Sequence, residues 1–313
     1  MTTIKQILCA TDLSPASEPA WEEACLLGRL LGAEVELLYV QAPVLVPVQE
    51  YFPPHLYQEW LDQSRREAQA ALDARLVQAR DRQVKARARL DEGEAAGRIV
   101  EVAREDACDV IVVGTRGLTG MSRVLLGSVA DRVVRTASRP VLTVGAQALA
   151  KRPAALIRIL YATDFSPTAR AAWPWVLALA GPTGATVDLL HVISQPVPDR
   201  QLPPPMIARM ARSLEEQGQA EAERFLQESE QTWPGRLPRE RIQVLVTPGV
   251  VAEQILHLAG SRGADIIALG THGWSGLLRW MLGSVAQHLL QTAPCPVLTV
   301  GPEAAGGPAD KVS

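Results

Sequence analysis

Two periods of apolar residues take turns along this chain. Short apolar runs of strand length, Ile4 to Ala10, Glu34 to Val40, Asp109 to Val113 and Val141 to Val144, are separated by stretches whose apolar residues recur every three or four positions. Ala20, Trp21, Ala24, Leu27, Leu30 and Leu31 share one helical face that stops near Gly32, and Ser14-Pro15 suits the N-cap and first position of that helix. After a proline-broken segment from Gln41 to Pro54, a long charged helix is predicted from about His55 to Arg80. Val84 to Leu90 reads as a weaker third strand, because Lys85, Arg87 and Arg89 alternate with Val84, Ala86 and Ala88. Helices over about Ala95 to Glu105 and Ser128 to Ala137 complete the unit.

The programme then repeats. Leu160 to Pro167 matches Leu8 to Pro15 around a shared Ala-Thr-Asp, and Val187 to Val192 matches Val35 to Val40. Leu282-Gly-Ser-Val285 repeats Leu126-Gly-Ser-Val129, and Pro296 to Gly301 repeats Pro140 to Gly145 without a change. Ordered identities at nearly constant spacing point to duplication of one domain. The expected layout is a first domain over residues 1–146, a linker over 147–155, a second domain over 156–302 and a flexible tail over 303–313. Strands alternating with helices imply an α/β fold, two tandem doubly wound domains, each a parallel sheet covered on both faces. Ligands of such sheets sit beyond the carboxyl ends of the strands, where the strand order reverses. The Asp12 loop and the Gly114 loop face each other there if the first and fourth strands are neighbours.

Composition narrows the classes. The 313 residues suffice for two ordinary domains, and 47% apolar with 21% charged residues describes a folded, soluble chain. A net charge of -3 supplies no broad field for nucleic acid or an anionic membrane, so neither is expected as a partner. No apolar run approaches a membrane span, and the start lacks a signal-peptide core. Cys9, Cys25, Cys108 and Cys295 have no metal-type spacing; Cys9 and Cys108, inside or beside expected strands, suit small buried thiols, and a reducing cytoplasm is the simplest setting.

The candidate chemistry lies in Gly114-Thr-Arg-Gly117, nine residues, then Gly127-Ser128, repeated as Gly270-Thr-His-Gly273, nine residues, then Gly283-Ser284. Glycine permits positive backbone angles and close approach of a ligand to the main chain. A glycine-serine pair at a helix start turns free amides and the positive helix end toward an anion such as a phosphate. The spacing is neither that of the P-loop nor that of the dinucleotide motif. A single such loop is ordinarily only a strand-to-helix turn; two copies with the same ends and the same Ala-Thr-Asp partner favour binding. Asp12 and Asp164 fit a loop end or helix cap as well as they fit a site. Arg123 and Arg279 occupy equivalent positions in the loops, as solvated charges or phosphate neighbours. His191, His257 and His272 lack metal spacing and read as surface or packing residues.

This set of motifs resembles the universal stress protein family: its glycine signature, its first-strand Ala-Thr-Asp loop and its closing Pro-Val-Leu-Thr-Val strand. The resemblance implies a five-stranded sheet of order 3-2-1-4-5 and, for members that keep the signature, ATP binding, with AMP or ADP as alternative occupants. It places Ala10, Thr11 and Asp12 by the adenosine and the Val40 main chain at adenine. Gly114, Arg116 and Gly117 would wrap the ribose and phosphates, and Gly127, Ser128 and Val129 would hold the phosphate end. The matching positions are Ala162, Thr163, Asp164, Val192, Gly270, His272, Gly273, Gly283, Ser284 and Val285. A divalent metal, Mg or Mn, is implied beside the nucleotide near Asp12 and Asp164, with no dedicated metal ligands. His272, Trp274 and Trp280 replace Arg116, Leu118 and Val124, so the two sites need not bind equally. Pairing through the last strands is also implied. Their short apolar edges need covering, so an internal pseudo-dimer is expected, with a further homodimer open.

Three functions compete. The first is a nucleotide-binding stress or signalling protein without strong catalysis, since no general base, nucleophile pair or metal cluster stands out. The second is a weak ATP hydrolase or nucleotidyl-transfer enzyme in the same crevice, with Asp12 or Asp164 orienting a water or metal. The third is an interaction scaffold using the segments Gln41 to Pro54 and Ser194 to Pro205, with Tyr51, Phe52 and Tyr57 as contact residues. The first is the expectation taken forward.

Overall fold

The computed structural model describes residues 3–43, 53–115, 126–145, 155–194, 204–271 and 282–304. They fall into two compact units, one spanning residues 4–146 and the other built on residues 147–313. In the first unit, strands β1 (Gln6–Thr11), β2 (Glu34–Gln41), β3 (Ala86–Glu92), β4 (Val110–Gly114) and β5 (Val141–Val144) alternate with helices α1 (Glu18–Leu31), α2 (Pro54–Asp81), α3 (Ala95–Glu105) and α4 (Ser128–Thr136). The strands run in the order β3-β2-β1-β4-β5, and each of these pairs is parallel. The second unit has strands β6 (Arg158–Ala162), β7 (Thr186–Ile193), β8 (Ile242–Pro248), β9 (Ile266–Gly270) and β10 (Val297–Val300). Its helices are α5 (Pro167–Arg170), α6 (Trp173–Thr183), α7 (Pro204–Thr232), α8 (Val251–Arg262) and α9 (Ser284–Thr292). Its order is β8-β7-β6-β9-β10, again parallel. Both units are therefore α/β sheets in which strand order reverses beside the first strand.

Burial explains why these runs become strands. Ile7, Leu8, Cys9, Val35, Leu37 and Leu38 are buried in the first unit, as are Ile159, Leu160, Tyr161, Val187, Leu189 and Leu190 in the second. Continuous rather than alternating apolar strands are what helices on both faces require. An aspartate pins the amino end of each first strand. Asp109 Oδ2 accepts from the Lys5 and Gln6 amides at 2.7 and 3.0 Å, and Asp265 Oδ2 accepts from Ile157 and Arg158 at 2.7 and 2.8 Å. That fixes the far end of the sheet from the strand termini where ligands of this fold sit. All four cysteines are buried and none is in a disulfide. Burial pushes the Cys25 and Cys108 thiols up to about 12, and Cys9 well above its ordinary value.

Three expectations need correction. The first helix does not start at Ser14-Pro15; α1 begins at Glu18, with Ser17 at the cap position. In the first copy the Ser14 hydroxyl donates to Asp12 Oδ1 at 2.6 Å, so it takes no part in capping. In the second copy Ser166 does cap a helix, its Oγ accepting from the Ala169 amide at 3.2 Å. The third strand starts at Ala86, because Val84 closes α2: its amide donates to Ala79 O at 2.9 Å, after Gln83 at a left-handed φ of 60°. Of the flexible tail expected over residues 303–313, residues 303 and 304 are folded. Pro302–Ala304 form a short 3-10 turn in which Ala304 is buried and its carbonyl accepts from Trp175 Nε1 at 3.1 Å. No described helix is long and apolar enough to cross a membrane.

Candidate functional site

The site is assembled from strand ends. In each copy the Ala-Thr-Asp loop folds on itself in the same way. Thr11 Oγ1 accepts from the Leu13 amide at 3.0 Å and Asp12 Oδ1 from the Ser14 amide at 3.0 Å. Thr163 Oγ1 accepts from Phe165 at 2.9 Å and Asp164 Oδ1 from Ser166 at 3.0 Å. The residue between, Leu13 or Phe165, sits at φ 63° or 58°, a left-handed turn that these side-chain bonds stabilise. Both aspartates therefore have a structural task, and one carboxylate oxygen of each is committed to the turn.

The glycine loops leave and return on matching hydrogen bonds. Thr115 N donates to Val144 O at 3.0 Å and Thr115 O accepts from Gly127 N at 2.8 Å. Thr271 does the same with Val300 and Gly283 at 3.0 and 2.9 Å. These threonines, the second residues of the two signatures, clasp the loop through their main chain and were not singled out in the sequence. Gly127 and Gly283 cap α4 and α9 with φ of -61° and -60°. Positive backbone angles are thus not why glycine stands there. Neither cap has a side-chain bond, and the amides of the first helical turn lack partners inside the helix.

Gly270 has a different reason. A Cβ on it would lie 2.6 Å from the Thr168 carbonyl oxygen and 2.9 Å from Ala169 Cα. The absence of a side chain lets α5 lie against the end of β9. Behind this contact Tyr161, Phe165, Trp173 and Phe225 form a cluster, with centroids 5.2 Å apart for Tyr161–Trp173 and 5.8 Å for Phe165–Phe225. The buried Tyr161 hydroxyl donates to Ala169 O at 2.9 Å, and burial raises its phenol. The first copy braces the same region differently, with Cys9 at the Tyr161 position and an Arg75–Glu18 ion pair at 3.0 Å.

In the second unit these parts surround one cleft of about 520 Å³. Ala162, Thr163, Asp164, Val192, Gly270, Gly283, Ser284 and Val285 all line it. His272 and Gly273 lie outside the described residues, as do Arg116 and Gly117 in the first unit. Arg123, Arg279, Trp274 and Trp280 are likewise outside them, as are residues 44–52 and 195–203 of the proline-broken segments. The cleft runs from the start of α9, after β9, to the start of α8, after β8. Three strand spacings make that about 14 Å. Each end carries a helix start; at the α8 end Ile193, Val251 and Ile255 present apolar side chains, whereas Ser284 stands at the α9 end. His191, read from the sequence as a surface or packing residue, is also a cleft wall. Its place immediately before Val192 on β7 was the available signal.

In the first unit Ala10 pairs with Val113 and Gly114 with Val144, so the Asp12 loop and the glycine loop leave the same end of adjacent strands. Thr11 is buried, Ala10, Asp12, Val40, Gly114 and Gly127 are half-buried, and Ser128 and Val129 are exposed at the start of α4. The two copies place corresponding residues at corresponding strand and helix ends.

The family model for the universal stress protein family matches residues 3–145 and again 157–301. The chain belongs to the universal stress protein family. A universal stress protein of Mycolicibacterium smegmatis is 28% identical over 300 residues, spanning 95% of this chain and 97% of the relative. One from Methanocaldococcus jannaschii is 38% identical over 141 residues, 45% of this chain and 81% of the relative. A crystal structure of a universal stress protein from Archaeoglobus fulgidus superimposes with a TM-score of 0.62 at 20% identity, covering 96% of this chain and 97% of that one. That likeness shows the two-domain fold.

Proposed function

We propose that this universal stress protein binds an adenine nucleotide, ATP foremost, in the cleft of its second unit and in the equivalent place of the first, as a stress-response or signalling protein. The observation that carries the reading is the cleft itself. It has a helix start with Ser284 at one end, a helix start walled by apolar side chains at the other and the Asp164 turn between. Its volume falls within the usual range for small-molecule sites. Phosphates lie at Ser284, Val285 and Ala286, where the helix end favours negative charge, and the base lies toward Ile193 and Val251. The family's glycine signature supports the same assignment. Asp164 lines the same cleft and would be the residue to hold a Mg²⁺ or Mn²⁺ ion, which would supply positive charge against the phosphates. With one carboxylate oxygen of Asp164 holding the Ser166 amide, a nucleotide-holding role suits this cleft better than rapid turnover.

Calorimetric titration of the full chain with ATP and Mg²⁺ tests the reading. Saturable binding is expected, weakened at least about tenfold, or 1.4 kcal/mol, by G283V. Valine adopts the backbone angles of Gly283, so the variant adds bulk to the cleft wall without straining the turn. Absence of binding at millimolar ATP overturns the assignment.

A further inference from the structure

At the apolar end of the cleft the fold settles the hydrogen-bonding state of one side chain. His191 Nδ1 lies 2.9 Å from the Thr163 carbonyl oxygen. A carbonyl only accepts, so Nδ1 carries the proton, and in the neutral ring Nε2 is an acceptor. The ring has little freedom to turn. Phe165 packs on it with centroids 4.9 Å apart. Helix α7 approaches at Gly218, where an added Cβ would come within 3.1 Å of His191 Cδ2 and 2.9 Å of Val246 Cγ1. Leu190, Val192, Ile193, Val251 and Ile255 line the same end and carry no polar side-chain atom. Ser194 is there too, but a hydroxyl both donates and accepts and so does not discriminate.

We propose that His191 is the base-selecting residue of the second cleft, its Nε2 accepting from the exocyclic amino group of an aminopurine and disfavouring the carbonyl of an oxopurine. The proposal rests on the nucleotide reading above. A fixed acceptor facing a donor gains one hydrogen bond; the same acceptor facing a carbonyl leaves two acceptors opposed in a partly desolvated site. The first copy has Tyr39 at the matching position. Its hydroxyl both donates and accepts, so that copy lacks this selection.

The test compares ATP with ITP, which carries an oxo group in place of the 6-amino group. The full chain bearing G127V, which weakens the first site, is titrated with each nucleotide under identical conditions. ATP is expected to bind about tenfold more tightly than ITP. In H191F, which keeps a ring against Phe165, the two affinities are expected to converge within about twofold. If thermal melting shows that H191F does not fold, H191Y, the first copy's residue, takes its place with the same expected convergence. A preference for ATP that persists undiminished in the folded ring variant overturns the role of His191 and leaves nucleotide binding standing. Failure of the unmodified chain to bind either nucleotide overturns both.

Discussion

Replacing Gly270 with alanine puts a methyl group where the second unit has no room for one. The added Cβ lies 2.6 Å from the Thr168 carbonyl oxygen and 2.9 Å from both Thr168 C and Ala169 Cα. These are main-chain atoms, so relief requires α5 to move as a body. Two bonds resist that movement, Tyr161 Oη to Ala169 O at 2.9 Å and Ala169 N to Ser166 Oγ at 3.2 Å. Overpacking of this kind costs about 1–3 kcal/mol. For a unit of this size each kcal/mol lowers the midpoint by about 2–4 °C, so calorimetry of the full chain should place the G270A transition roughly 2–12 °C below wild type. Because the displaced segment follows Asp164 directly, ATP affinity is expected to fall with stability. A G270A chain that melts with the wild type refutes the close-approach explanation for this glycine.

G260A should do the opposite: a Cβ there meets nothing within 4 Å, and alanine in an exposed helix interior is worth about 0.5–1 kcal/mol over glycine, read as a raised melting midpoint. D109A and D265A each strip two amides of a shared carboxylate oxygen at one end of the sheet. Each should cost about 1–3 kcal/mol by denaturant titration, and the folded variants should keep wild-type ATP affinity, because the cleft lies at the opposite end. Thiol titration should find the native protein nearly inert near neutral pH. Burial raises the Cys9, Cys25 and Cys108 thiols, two of them to about 12, and the thiolate is the reactive form; all four should react once the chain is unfolded.

Much of the fold could be read from local pattern. The uninterrupted apolar character of Val141–Val144 and Val297–Val300 marks both last strands, and the repeated Ala-Thr-Asp and Gly-Ser motifs fall at corresponding strand and helix ends. What escaped depends on contacts distant in sequence. Ser14 and Ser166 sit in matching Ser-Pro pairs, yet one hydroxyl is drawn to Asp12 and the other caps α5. Gly270 lines the cleft, but nothing local in the sequence reveals that α5 also lies against it. His191 had no partner spacing to suggest a site; only the parallel pairing of β6 with β7 carries it to the Thr163 carbonyl. Gly127 and Gly283 were expected at helix starts, and they cap α4 and α9 there; of the two general reasons for glycine, positive backbone angles and close ligand approach, neither residue uses the first.

The placement of the nucleotide is tested most directly by the backbone amide resonances of Ser284, Val285 and Ala286 in isotope-labelled full-length protein titrated with ATP and Mg²⁺. The account predicts that these three shift and saturate together, with Asp164 and His191 following the same curve. Shifts confined to other parts of the chain, with the three amides unmoved at saturating ATP, would contradict it.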